Sequence, residues 1–489
     1  MEYISTRGGQ RAVSASEAIV QGLSVPDGGL FVPESFPAAD LAAVCAMPYP
    51  EMAFAVLSRY LTDYPAEFLK AAVTETYGAA FGGKAGHLEA VDADTWALEL
   101  WHGPTCAFKD YALQLMPKLL VQGKRNLGRT ETTEILVATS GDTGKAALAG
   151  YRDVPGVAIS VFYPQRGTSE IQRLQMATQE GENVSVYAVR GNFDDAQTGV
   201  KRVFADAAVA EALARKNTCL SSANSINWGR LAPQIVYYFA AYAQLVAGGA
   251  VHSGDEVDFC VPTGNFGDIL AGYYAARMGL PVGTLVCASN RNNVLTDFLT
   301  TGVYDARRAF YKTTSPSMDI LVSSNLERLL YHISGSAETV AGWMRALSAQ
   351  GSYQVDDATL EKIRARFACG CADDETVAQE IRRQYAENGY LCDTHTAVAF
   401  HVARAWRAQS GSRAPMVVLS TASPYKFPRS VLAALGRPAP EDDFAAMGAL
   451  EAFTSRPAPE SLAALRTKPE RFSRVIDPDQ IAEAALGRL

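Results

Sequence analysis

The residues best placed to do chemistry lie between Leu100 and Gly150. Lys109 follows Gly103-Pro104-Thr105 at the start of a predicted helix. Further on, the apolar run EILVA ends in Thr139-Ser140-Gly141-Asp142-Thr143-Gly144, a hydroxyl- and glycine-rich turn that opens an Ala-rich helix. Unpaired backbone N–H groups at such a helix start suit a carboxylate or a phosphate. A lysine beside an anion cradle has two readings, and this stretch leaves both open. One is a solvated surface lysine. The other is a lysine whose amine forms a Schiff base with a phosphorylated aldehyde, pyridoxal phosphate.

Two further turns have the same character. Pro262-Thr263-Gly264-Asn265-Phe266-Gly267-Asp268 follows an apolar run and opens a helix. Gly264 and Gly267 let backbone approach a ligand there, and the helix directs its positive end at it. Leu419-Ser420-Thr421-Ala422-Ser423-Pro424 ends another apolar run in hydroxyls, which either cap the next helix or hold a neutral hydrogen bond to a ligand. Cations for an anionic substrate are available in Arg166, within FYPQRGTSEIQ, and in Arg230, which closes SSANSINWGR together with Ser222, Asn224 and Asn227. Either arginine suits bidentate phosphate binding, and either suits a surface salt bridge. The run SGDTGK is not a P-loop. Thr139 stands where the first glycine belongs and Ala146 where a metal-binding hydroxyl belongs.

The elements that must position these turns follow from hydrophobic rhythm. Val/Ile-rich runs at 135–138, 157–162, 184–189, 257–262, 282–289 and 416–421 alternate with predicted helices at 144–151, 168–180, 194–215, 230–247, 268–278, 394–409 and 427–435. Continuous apolar strands alternating with helices predict an α/β fold, its parallel sheet covered on both faces. Ligands in such sheets bind beyond the carboxyl ends of the strands, so the turns after 138, 262 and 421 are expected around one crevice. Ahead of this pattern, 14–23 and 51–75 read as helices of an N-terminal, mainly helical domain spanning 1–88. The catalytic region is expected at 89–435 as two α/β subdomains with a charged helical insertion at about 338–392, and a helical extension at 436–489. Arg7-Gly8-Gly9 reads as an ordinary turn.

Composition narrows the function classes. A chain of 489 residues, 48% hydrophobic and 20% charged, is an ordinary globular protein of two or three domains. The net charge of -8 and the lack of Lys/Arg runs argue against nucleic-acid binding. No apolar run has the ~18 residues of a membrane span, and MEYISTRGGQ lacks a signal pattern, so a cytoplasmic location is expected. The eight cysteines are scattered apart from Cys369 and Cys371, without the paired spacing of a zinc site, so no metal is expected. Cys106, three residues before Lys109, reads as packing.

Taken in order, HGPTCAFKD, ATSGDTGKAA, SINWGR, VPTGNFGDILAGYYAARMGLP, SPSMDILVSSNLERLL and STASPYKF resemble the threonine synthase family, in its longer form with an N-terminal domain. The resemblance runs from the first residues to about 435. It implies fold type II of the pyridoxal-phosphate enzymes, similar to the tryptophan synthase β chain, and conversion of O-phospho-L-homoserine and water to L-threonine and phosphate. Lys109 matches the family's Schiff-base lysine. Gly264, Asn265, Phe266 and Asp268 match its cofactor-contacting turn, with Gly267 between them, and Thr421 matches the partner of the pyridine nitrogen. Ser140, Asp142 and Thr143 are expected to hold the substrate carboxylate, and Arg166, Asn224, Asn227 and Arg230 its phosphate. Relatives of this fold type often carry Asn where this chain has Asp142, although Asp is usual in the longer enzymes, and the last motif often has His where this chain has Ser423. The resemblance leaves two alternatives: a lyase or dehydratase acting on a related phosphorylated or hydroxylated amino compound, and a non-catalytic cofactor-binding homologue. A monomer or homodimer is expected.

Overall fold

The computed structural model describes residues 1–166 and 168–487, so the last two positions of the expected C-terminal extension lie outside the described residues. The N-terminal unit pairs β1 (Tyr3–Ser5) antiparallel with β2 (Phe31–Pro33) and adds helices Ala15–Gln21, Tyr49–Tyr60 and Ala66–Thr76. There follow β3 (His87–Ala90), β4 (Thr95–Glu99), β5 (Thr132–Ala138), β6 (Val157–Pro164), β7 (Val184–Val189) and β8 (Thr218–Ser221). Then come β9 (Val257–Pro262), β10 (Val282–Ser289), the short pair β11 (Val303–Asp305) and β12 (Ser352–Gln354), β13 (Phe367–Cys371), β14 (Met416–Ser420) and β15 (Val475–Ile476).

These strands build two main sheets. The smaller has order β15-β7-β6-β5-β8 and is parallel throughout. The larger has order β13-β10-β9-β14-β4-β3 and is parallel except at β3. The central strands are apolar on both faces because helices cover both. VDFCVP in β9 and MVVLS in β14 are buried at every position.

Two regions differ from the sequence expectation. Segment 338–392 carries the charged helices Asp357–Arg364 and Asp374–Asn388, but it also supplies β13, the edge strand of the larger sheet. FACGC escapes a periodicity test because Ala and Gly carry little strand propensity. The C-terminal extension is helical at Asp443–Thr454, yet its β15 adds an edge strand beside β7.

A core shared between the N-terminal unit and the larger sheet fixes the loops that reach the crevice. Trp228 is fully buried and meets Tyr3, Tyr60 and Tyr274 edge-on at 5.4, 5.4 and 5.3 Å. These contacts anchor the SINWGR segment. Arg7 grips Glu327 with two hydrogen bonds of 2.9 and 2.8 Å, so the Arg7 turn is a domain clamp. The next residue, Arg328, is wholly buried and donates to Phe31 O at 2.9 Å, to Ile226 O at 2.5 Å and to Asn325 Oδ1. One guanidinium thereby ties the N-terminal unit, the SINWGR loop and the helix Leu326–Ser334 together.

His332, on the same helix, meets the Tyr274 hydroxyl at 2.7 Å. Burial pushes its ring down to about 3, with Arg277 and Arg328 acting in the same direction. An unfolded chain protonates this ring below about pH 6.5 and the folded one does not, so falling pH through that window favours unfolding. His332→Gln removes the contribution. Its melting temperature is expected to fall less than that of the parent protein between about pH 7 and 4.5, by calorimetry. An equal fall in both proteins contradicts this.

Candidate active site

Lys109 is positioned from both sides. Within its own turn, Asp110 accepts from Thr105 N and Thr105 Oγ1, each at 2.8 Å, and from Gln114 Nε2 at 3.1 Å. A Cβ on Gly103 would lie 2.6 Å from the Asp110 carboxylate, so this turn needs glycine. Cys106 adopts a left-handed φ of +58°, which turns the chain toward the end of β14. There Phe108 N donates to Thr421 O at 2.9 Å, Ser423 N donates to Cys106 O at 3.1 Å, and Ala107 bridges to Ala422. Lys109 and Thr421 are thereby held together by backbone.

The hydroxyls after β14 divide their work. Ser420 Oγ accepts from Trp101 Nε1 at 3.1 Å and lies 3.3 Å from Tyr390 Oη and 3.2 Å from Thr396 Oγ1, so it is bound into the core. Ser423 caps the short turn that follows. The Thr421 hydroxyl makes no hydrogen bond among the described residues, which leaves it available to a ligand.

The turn after β9 has the form of an anion cup. A Cβ on Gly264 would sit 2.9 Å from Ser317 O, so a side chain there would push against backbone. Phe266 adopts a left-handed φ of +61° and has no side-chain cap, leaving the first N–H groups of helix Gly267–Arg277 without an intrahelical partner. Asn265 presents an exposed side chain, while its carbonyl accepts from Asn325. Burial pushes the Asp268 carboxyl up to about 7, against hydrogen bonds from Tyr237 at 2.5 Å and Tyr238 at 3.2 Å. A carboxyl whose protonated form is favoured in this way repels an anion at the same helix end less than an ordinary aspartate would. Gly264→Val is expected to lower cofactor occupancy severalfold by absorbance titration; full occupancy with only a raised substrate KM would assign this cup to the substrate.

The turn after β5 is built differently. Thr139 Oγ1 accepts from Gly141 N and Gly144 N, each at 3.0 Å, so the hydroxyl shapes the loop and takes up two of its donors. Ser140 and Thr143 are half-buried and have no side-chain hydrogen bond among the described residues. Asp142 is buried and ion-paired with Lys426, 2.6 Å away. It also accepts from Gln172 Nε2 at 2.8 Å, and Ser317 Oγ lies 3.4 Å away. Burial pushes its carboxyl up, but Lys426 and Lys109 outweigh that and leave it well below the usual carboxylate range. Because Ser317 also packs on Gly264, the turns after β5, β9 and β14 meet in one crevice between the sheets.

Among the cations, Arg230 is buried with no carboxylate partner among the described residues, and its Nε has no acceptor. It donates to Ala223 O, and burial pushes its guanidinium down to about 10. Such an unpaired buried cation suits an incoming dianion. Asn227 donates to Ile19 O and accepts from Gly229 N, both at 2.8 Å, so its amide caps the helix that carries Arg230. Asn224 is exposed, its Oδ1 accepting from Ile226 N at 3.2 Å. Arg166 is exposed just beyond β6, at the crevice edge of the smaller sheet. Lys109 itself stays partly accessible. Burial pushes its amine down to about 8; Arg230 and Lys426 act in the same direction, Asp142 and Asp268 against it.

Sequence reasoning missed Lys426, Gln172, Ser317 and the buried pair His395–Asp393, whose ring nitrogen and carboxylate lie 2.6 Å apart. His395 Nε2 accepts from Ser317 N at 3.2 Å, which orients the segment over Gly264. Lys426 stands within STASPYKF, and its position two residues after Pro424 is the signal that was available.

Comparison with known proteins shows the family. Residues 85–422 match the family described as pyridoxal-phosphate dependent enzyme, residues 2–77 the threonine synthase N terminus, and residues 396–484 the threonine synthase C-terminal region. The chain is 43% identical over 438 residues to a threonine synthase of Pseudomonas aeruginosa, covering 88% of this chain and 90% of the relative. It is 39% identical to that of Methylobacillus glycogenes, covering 96% of each. The chain belongs to the threonine synthase family. A crystal structure of pyridoxal-phosphate-bound threonine synthase from Brucella melitensis superposes with a TM-score of 0.88 at 38% identity, covering 100% of this chain and 99% of that one. Members of this family are pyridoxal-phosphate-dependent lyases of fold type II, and the residues of this chain fit the cofactor. The amine of Lys109 suits the aldehyde, the unpartnered Thr421 hydroxyl the pyridine nitrogen, and the Gly264–Asp268 cup the phosphate.

Proposed function

We propose that this protein converts O-phospho-L-homoserine and water to L-threonine and phosphate, with Lys109 as the lysine that carries pyridoxal phosphate and then serves as base. The observation that carries the assignment of roles is the convergence of three strand-end turns on one lysine amine, itself held near pH 8. Bound pyridoxal phosphate supplies an electrophilic aldehyde that takes the substrate amine and draws electrons from its α-carbon.

The chain's own residues do the rest. Lys109, neutral in a useful fraction of molecules at physiological pH, accepts the α-proton and must pass it on before it accepts a β-proton; the γ-phosphate then leaves with its C–O electron pair, protons return to the γ-carbon and finally the α-carbon, and water adds its hydroxyl at the β-carbon. The free N–H groups and hydroxyls at Ser140–Thr143 bind the substrate carboxylate. Arg230 holds the substrate phosphate from its buried position, with Arg166 at the rim. Asn227 supports Arg230 by capping its helix, and Asn224 stays a peripheral candidate for the phosphate. Thr421 offers the pyridine nitrogen a neutral hydroxyl. Gly264, Asn265, Phe266, Gly267 and Asp268 form the cofactor's phosphate cup.

Incubation of the purified holoenzyme with O-phospho-L-homoserine should release threonine and phosphate in equal amounts. Production of 2-oxobutanoate without threonine would indicate a dehydratase, and no turnover with bound cofactor a non-catalytic homologue. We further infer a cytoplasmic monomer or homodimer, to be checked by cell fractionation and light scattering.

A further inference from the structure

In this crevice a buried lysine, Lys426, contacts a buried carboxylate, Asp142, whose charge also acts on the partly accessible amine of Lys109. The Lys426 side chain is 0% exposed and that of Asp142 3%. Lys426 Nζ contacts Asp142 Oδ1 at 2.6 Å and donates to Thr105 O at 3.1 Å, on the turn that carries Lys109. We propose that Lys426 is a positioning residue: by holding Asp142 in a buried ion pair, it keeps that carboxylate from binding the Lys109 amine and so keeps Lys109 available as a base. The proposal rests on the reading of Lys109 as the reacting amine.

The argument is one of charge count and geometry. A low-dielectric site with one carboxylate stabilises one ammonium well and a second poorly. Lys426 is in direct contact and is anchored by the turn Pro424–Lys426, so it takes the charge. Lys109 receives only the residual field. The other charged groups facing it do not reverse this. Arg230, from helix Trp228–Leu231, repels a second cation. Asp268, from helix Gly267–Arg277, attracts one weakly because it is itself held near neutrality by burial. Asp110, the next residue, is committed to Thr105 and Gln114. On the helix of Asp142, Lys145 bonds Gln179 Oε1 at 2.6 Å. His395 is engaged by Asp393 and Ser317 N. Removing Lys426 would leave Asp142 without its cation, and Lys109 is the other lysine whose charge already acts on that carboxylate.

The test uses holoenzyme of Lys426→Met, Asp142→Asn and the double variant. The pH midpoint of the cofactor's visible absorbance change reports on the Lys109 nitrogen without turnover, and the acid limb of kcat for threonine formation reports on it during turnover. Lys426→Met is expected to raise both midpoints by about 1 pH unit, Asp142→Asn to lower them by about as much, and the double variant to return close to the parent. A purely structural pair would lower the melting temperature of both single variants and leave both midpoints in place. Unmoved midpoints, or shifts of the same sign in both single variants, overturn the proposal. If Lys426→Met does not fold, the downward shift in Asp142→Asn and its reversal in the double variant decide the matter. Borohydride reduction and peptide mapping of each variant separate this from failure of the underlying reading, which would place the cofactor on another lysine.

Discussion

Lys109→Ala is expected to abolish threonine formation, with kcat reduced by at least about 10³-fold while the fold is retained. No neighbouring group can substitute. Asp268 is held by Tyr237 and Tyr238, and Lys426 is sealed against Asp142 and Thr105 O. The loss should be selective for chemistry. The cup at Gly264–Asp268 and the Thr421 hydroxyl remain, so the variant should still take up pyridoxal phosphate, but without the visible band of a lysine-bound cofactor. Lys109→Arg should be equally inactive, because a guanidinium stays protonated at any working pH. Circular dichroism with a coupled phosphate assay checks this. Residual activity above a few per cent would assign the base elsewhere.

Arg230→Met is the second large effect. The parent side chain is a buried cation whose hydrogen bond to Ala223 O is its sole partner among the described residues. Such a group costs stability through desolvation and returns it through substrate binding. The variant is therefore expected to lose about 10²–10³-fold in kcat/KM for O-phospho-L-homoserine, because a charge-assisted contact to the leaving phosphate is gone. Its melting temperature should be unchanged or higher. A lower melting temperature with normal kcat/KM would make Arg230 a structural residue.

Much of the scaffold is legible in the sequence because its central strands lie between helices. VSVYAV, VDFCVP and VGTLVCAS form continuous apolar runs, and β7, β9 and β10 occupy these runs. The strands that escaped notice are edge or mixed-polarity ones. HLEA in β3 alternates too weakly, TWALE in β4 ends in a glutamate that pairs with His102, and TCLS in β8 is short and only half-buried. The turns after β5, β9 and β14 stood out because glycine or hydroxyl clusters there interrupt a strand-to-helix passage. The Lys426–Asp142 pair did not, since it joins the two sheets across the crevice and no local spacing announces it. Asn227 shows the converse. An amide in a polar loop has the composition of a ligand, but the backbone N–H two residues on engages its oxygen locally, and the Ile19 carbonyl of the N-terminal unit takes its N–H.

The central claim is that one lysine, Lys109, carries the cofactor in a crevice that also contains Lys426. Reduction of the holoenzyme with borohydride, followed by proteolysis and mass spectrometry, tests it most directly. The account predicts a single pyridoxyl-modified peptide containing Lys109, within HGPTCAFKD. Modification of Lys426, or of Lys145 beyond the Asp142 turn, with Lys109 unmodified, would contradict it.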